Sequence, residues 1–161
     1  MAEAAKMELA MIGLGRMGAA MTERLIRKGH RVIAFDRAQA AMERVARAGA
    51  QAVASLSELR TALPAPRIIW IMAPAGAAVD EILAELLPLV EPGDILIDGG
   101  NSYFRDTLRR AAAVPAGVHY VDVGVSGGIW GGAEGYCLMI GGPDAAVRNL
   151  RPIFEALAPD A

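Results

Sequence analysis

Short, mostly apolar runs alternate along the chain with longer stretches in which apolar residues recur every three or four positions. ELAMI (8–12), RVIAF (31–35), RIIWIM (67–72), DILID (94–98) and VHYVDV (118–123) are of the first kind. They are short, rich in β-branched residues and bounded by Gly, Pro or charge, which predicts buried strands. Residues 51–54 predict a further short strand, and YCLMIGG (136–142) a last strand with a turn. Residues 16–28 place Met17, Ala20, Met21, Leu25 and Ile26 on one helical face, with Arg24, Arg27 and Lys28 outside it. Gly29 stops that helix after a basic last turn. Helical spacing recurs at 38–48, 58–63, 77–87 and 107–113, with Ser55 or Ser57 as the cap before Glu58. Pro143 and Asp144 open a final helix to Leu157. Strands separated by helices through short connections predict an α/β fold, a mostly parallel sheet covered on both faces.

Composition narrows the partners. With 161 residues, 54% of them hydrophobic, the chain is expected to form one domain around one core. Its 16 basic and 18 acidic residues nearly cancel, which gives no electrostatic reason to expect nucleic acid. Cys137 is the single cysteine and cannot form an internal disulfide. His30 and His119 lie far apart, without the clustered Cys/His spacing of a zinc site, and no metal is expected. The N-terminus has no basic region before its apolar run, so no signal peptide is read there. No apolar run approaches the length that spans a bilayer, and a soluble cytoplasmic protein is expected.

The candidate chemistry begins at GLGRMG, which puts Gly13, Gly15 and Gly18 between the first strand and the first helix. In that context the pattern predicts a dinucleotide-binding turn of a Rossmann-like sheet, with a merely structural turn as the alternative. Gly13 allows the sharp turn, Gly15 lets a pyrophosphate approach the backbone, and Gly18 lets the helix pack against the sheet. Leu14, Arg16 and Met17 complete the segment; Arg16 either reaches the pyrophosphate or faces solvent. Asp36 directly follows RVIAF. A carboxylate there accepts bonds from both ribose hydroxyls of NAD and repels a 2′-phosphate. Arg37 pulls the other way, since it can meet the phosphate of NADP. The same pair also reads as a solvated turn. The balance favours NAD, with NADP second. IMAPAG (71–76) follows a strand end and is expected to lie over the dinucleotide through Met72, Ala73, Pro74 and Ala75. Ala73 and Ala75 are small enough for close approach, while Pro74 alternatively serves only to stiffen the loop. Cys137 is expected to be buried in its strand, His30 to pack or cap a helix end, and Trp130 to follow a glycine loop that it closes over.

DGGNSYFRDT (98–107) and VDVGVSGG (121–128), together with GLGRMG, make the whole chain resemble the N-terminal domain of a decarboxylating 6-phosphogluconate dehydrogenase. The run from 121 to 142 is similar to the shorter, NAD-preferring branch. In the NADP-preferring branch the second strand is followed by Asn-Arg-Thr, and a lysine stands where this chain has Pro74. The resemblance implies that Asn101 touches both cofactor and substrate, and that Ser126, Gly127 and Gly128 hold a phosphorylated sugar acid. It also implies oxidation and decarboxylation of 6-phosphogluconate to ribulose 5-phosphate, without a metal. The family's base, a lysine, and acid, a glutamate, lie on a helix after the dinucleotide domain. Lys6 and Lys28, the only lysines here, do not match that motif. No catalytic residue is therefore assigned within 1–161, and the helical domain that would complete the site and a homo-oligomer is expected to be absent. Two rivals stand: a β-hydroxyacid dehydrogenase of the 3-hydroxyisobutyrate type, whose members usually carry Ser-Thr near the point of GGNS, and a nonenzymatic NAD-binding domain.

Overall fold

The computed structural model describes residues 5–160; the absence of a signal peptide read from the N-terminus rests partly on residues outside that range. Seven strands form one sheet: β1 (Glu8–Ile12), β2 (Arg31–Phe35), β3 (Gln51–Ala52), β4 (Ile68–Ile71), β5 (Ile95–Asp98), β6 (His119–Ser126) and β7 (Cys137–Gly141). Their order is β3-β2-β1-β4-β5-β6-β7. The first six are parallel, and β7 returns antiparallel to β6. The chain reverses its direction of travel between β1 and β4, which is where an open α/β sheet leaves a crevice at its carboxyl edge.

Eight helices cover this sheet: α1 (Arg16–Arg27), α2 (Gln39–Arg47), α3 (Leu59–Ala62), α4 (Ala77–Leu86), α5 (Phe104–Ala113), α6 (Gly131–Glu134), α7 (Asp144–Asn149) and α8 (Arg151–Leu157). Alternation along the strands divides the apolar side chains into two cores. Leu9, Met11, Trp70 and Val121 pack on one face with Leu25, Val45 and Ile153 from α1, α2 and α8. Ala10, Ile12, Ile69 and Leu96 pack on the other with Leu59, Val79 and Leu83 from α3 and α4. Trp70 is fully buried and meets the Phe154 ring edge-on at 6.1 Å.

Four local expectations are corrected. The last helix is two, since the helical path is reset at Leu150, between α7 and α8. The helix expected from Thr107 begins three residues earlier, at Phe104. Cys137 is exposed, because β7 is an edge strand with no helix over that face. Arg24 is buried rather than outside: its guanidinium donates to the carbonyls of Ala133, Ala156 and Ala158 at 2.7–2.9 Å. Those bonds satisfy a buried cation and pin the end of α8 and the short α6 against α1.

Candidate functional site

Register brings the candidate residues to one rim. Phe35, Ile12, Ile71, Asp98 and Asp122 stand opposite one another across five parallel strands. The ladder runs one residue further: the Gly13, Met72 and Gly99 amides donate to Phe35, Ile12 and Ile71 at 3.0, 2.7 and 2.8 Å. Asp36, Gly13, Met72 and Gly99 thus line the carboxyl edge in a row.

Helix α1 starts at the middle of this row. A Cβ on Gly18 would overlap the Gly13 carbonyl oxygen, so glycine there is what lets the helix seat on the turn. Gly15 faces open space. The first-turn amides of α1 have no partner within the helix, and no acidic side chain stands among them. Arg16 is exposed in this turn, where the helix dipole disfavours a cation. A bound phosphate would offset both features. Leu14 and Met17 contribute backbone only; their side chains pack into or against the core.

Asp36 is half-buried. Its two carboxylate oxygens accept from the Leu14 and Ala38 amides at 2.6 and 2.7 Å, tying the glycine turn to the end of β2. Arg37 is 74% exposed, and its nearest carboxylates, on Glu81 and Glu85, are 3.9 Å away. A cleft of about 300 Å³ lies here, lined by Gly13, Gly15, Asp36, Arg37, Met72, Ala73 and Pro74. Ala78, Glu81 and Ile82 of α4 close its far wall. Sequence spacing missed these three; an amphipathic helix shows no sign of which polar residue borders a ligand. Ala75 is exposed and does not line the cleft. The open glycine turn, free amides and adjoining cleft fit a dinucleotide laid along the rim.

Beyond β4 the rim changes character. Asp98 ends β5 fully buried. One of its oxygens accepts from the Gly100 amide at 3.0 Å. The other accepts from Ser102, Tyr120 and Arg110 at 2.7, 2.8 and 3.3 Å. Burial, with the Asp98 carboxylate alongside, pushes the Tyr120 phenol up, so it remains a donor. Burial and Asp98 also push up the Asp122 carboxyl, while the bond from Arg110 holds Asp80 below its ordinary value. None of Asp98, Ser102, Arg110 or Tyr120 was singled out in the sequence. The only signal was a carboxylate closing an otherwise apolar strand.

This network fixes the turn that carries Asn101. Asn101 has φ +55°, the only positive φ on a non-glycine among the described residues. Its side-chain oxygen accepts from the Val125 amide at 2.9 Å, and its side-chain nitrogen donates to the Val125 carbonyl at 3.3 Å. Ser126 is next in the chain and exposed, followed by Gly127 and a short 3₁₀ turn from Gly128 to Trp130. The GGNS and VSGG segments therefore meet at one place. Trp130 is 70% exposed and does not close over the loop. His30 packs as expected, its Nδ1 accepting from the Met7 amide at 3.1 Å. Among the described residues no group of three or more His, Cys, Asp or Glu is placed to hold a metal, and no helix is long and apolar enough to cross a membrane.

Residues 8–160 match the family model described as the NAD binding domain of 6-phosphogluconate dehydrogenase. The chain belongs to that family. An NAD(+)-dependent, decarboxylating 6-phosphogluconate dehydrogenase of Haloferax volcanii is 44% identical over 94% of this chain and 50% of its own length. A solved 6-phosphogluconate dehydrogenase of Plasmodium falciparum is 30% identical, with a TM-score of 0.86 over 96% of this chain and 34% of that one. A 3-hydroxyisobutyrate dehydrogenase of Mycobacterium tuberculosis, solved with L-serine, is 29% identical, with a TM-score of 0.86 over 96% of this chain and 53% of that one. The chain thus spans about half the length of the first relative and a third of the second.

The expected preference for NAD is corrected. The Plasmodium enzyme is described in complex with its cofactor NADP+, so likeness to this family gives no preference for NAD. The local geometry is compatible with either cofactor. Both Asp36 oxygens are already engaged by backbone amides, while the Arg37 guanidinium stands exposed at the cleft. What the fold supports is a nicotinamide dinucleotide, NAD(P), in an oxidoreductase domain.

Proposed function

We propose that this chain is the cofactor-binding domain of an NAD(P)-dependent enzyme that oxidatively decarboxylates 6-phosphogluconate to ribulose 5-phosphate. The observation that carries this is the two-point bond of Asn101 to Val125, which sets an amide beside the Ser126 hydroxyl on the rim.

The first-turn amides of α1 and Arg16 hold the pyrophosphate, with Gly13, Gly15 and Gly18 admitting it. Asp36 and Arg37 face the adenosine ribose, and Met72, Ala73 and Pro74 flank the dinucleotide as it crosses β4. When bound, the nicotinamide accepts hydride from C3 of the sugar acid. Asn101 keeps a second N–H and a second lone pair beyond its bonds to Val125, so it can donate to one substrate oxygen and accept from another. Ser126, with the Gly127 and Gly128 amides, holds hydroxyl or carboxylate oxygens. With C3 oxidised, the new carbonyl takes the charge released as C1 leaves as carbon dioxide. Lys28 is at the end of α1, pairing with Asp160, and Lys6 precedes β1, both at the opposite edge of the sheet. Neither lysine is placed to act on a substrate held at Asn101 and Ser126. The 3-hydroxyisobutyrate-type reading shares the fold, but GGNS separates the two.

The test is to titrate the chain with NAD+ and NADP+, then add either 6-phosphogluconate or 3-hydroxyisobutyrate while following amide resonances. The expected result is saturable cofactor binding, perturbation of Asn101 and Ser126 by 6-phosphogluconate alone, and no appreciable cofactor reduction. Absence of cofactor binding, or a response only to 3-hydroxyisobutyrate, would overturn it.

A further inference from the structure

Arg110 is an unusual residue for the inner face of a surface helix. Its side chain is 2% exposed, and it reaches four residues on two separate pieces of chain. Its Nε donates to Asp80 on α4 at 2.8 Å. One terminal nitrogen donates to the Gly76 carbonyl, in the loop after β4, at 3.1 Å. The other donates to Ser102 at 3.0 Å and Asp98 at 3.3 Å, at the two ends of the Asn101 turn. The 72–76 loop and the 98–102 turn also touch directly: a Cβ on Gly100 would come within 2.6 Å of the Ala73 carbonyl oxygen. Two backbone segments in such close approach have one comfortable spacing.

We propose that Arg110 is a positioning residue that locks the loop after β4 to the Asn101 turn and so preforms the nicotinamide end of the cofactor groove. This rests on the dinucleotide running along the rim as proposed above, with its adenosine end at Asp36 and its nicotinamide end between β4 and β6. None of the four partners lines the cleft at the adenosine end, although Gly76 and Asp80 belong to the helix whose Ala78, Glu81 and Ile82 wall it. Disturbing Arg110 is therefore expected to weaken the nicotinamide half of the ligand more than the adenosine half. Lysine cannot replace it, because an ammonium is a point donor and cannot span four partners on two segments.

The experiment is a titration of the wild-type chain and Arg110→Lys with NAD+, NADP+, ADP-ribose and 2′-phospho-ADP-ribose. The two ADP-riboses lack the nicotinamide and act as internal controls for folding and for the adenosine end. Arg110→Lys is expected to weaken the nicotinamide-bearing ligands about tenfold, as loss of charge-assisted buried bonds predicts. The ADP-riboses are expected to stay within about twofold, as distant sites do. Ser102→Ala keeps the guanidinium and its carboxylates, and gives the same pattern with smaller amplitude; it decides the matter if Arg110→Lys does not fold. Equal weakening of all four ligands, or of none, overturns the positioning role while leaving the cofactor site intact. A wild-type chain that binds no dinucleotide overturns the cofactor site and this proposal with it.

Discussion

Asp36 and Asp98 both stand at the carboxyl rim of the parallel strands, Asp98 as the last residue of β5 and Asp36 one position beyond the end of β2, and each holds a turn there. Asp36 does so with two backbone bonds and remains half-buried beside an open cleft. Asp98 is sealed from solvent, with four donors converging on it and a guanidinium among them. The same residue type, one register position apart, is thus part of the binding surface at one end of the rim and part of the scaffold at the other. The adenosine end keeps its polar groups accessible. The nicotinamide end consumes them internally to fix the turn that holds one amide side chain, on a left-handed backbone that asparagine adopts more readily than most residues.

Replacing each aspartate is the most direct way to break this contrast. Asp98→Ala leaves the Arg110 cation buried with only Asp80 as counter-charge, and is expected to cost about 3 kcal/mol in denaturant unfolding, the lower end for breaking a buried ion pair. Asp36→Ala removes two hydrogen bonds near solvent and is expected to cost ~1 kcal/mol in the same measurement. Its larger effect falls on calorimetric affinity, which weakens for NAD+ and NADP+ alike because the glycine turn loses its anchor. If the two variants were equally unstable, the contrast between surface and scaffold would be wrong.

The smallest effect sharpens the contrast from the opposite edge. His30 is buried, and burial pushes its pKa below the ordinary 6.5. The unfolded chain then takes up a proton at a pH where the folded chain does not, so stability falls as pH drops through that ordinary value. The slope is expected to be a fraction of the ~1.4 kcal/mol per pH unit that one full proton gives. His30→Asn should flatten it, as read from unfolding midpoints between neutral and mildly acidic pH. An unchanged slope would assign the titration elsewhere.

The parts of this molecule that were legible in its sequence are those whose causes are local. Apolar runs became strands, and GLGRMG became a turn because the three glycines, the preceding strand and the following helix are all neighbours in the chain. Asn101 and Ser126 were marked by family motifs rather than by their own chemistry. The partners of Arg24 and Arg110 were invisible for the opposite reason. Arg110 meets residues as far as 34 positions away, and Arg24 residues 109 to 134 positions away. A helical wheel assigns such arginines to solvent, since no local periodicity encodes a distant acceptor. Cys137 erred the other way: an apolar run reads as buried whether or not a helix covers its strand.

Arg24 also bears on the timing of synthesis. Its acceptors at Ala156 and Ala158 are made more than 130 residues after it. At about 5–20 residues per second, the cation waits on the order of ten seconds for the carbonyls that satisfy it. Until then, burying α1 against the sheet would strand an unpaired charge. The helix whose first turn opens the nucleotide groove therefore settles late, and a nascent chain stalled before Ala156 is expected to hold its first two strands without a finished groove.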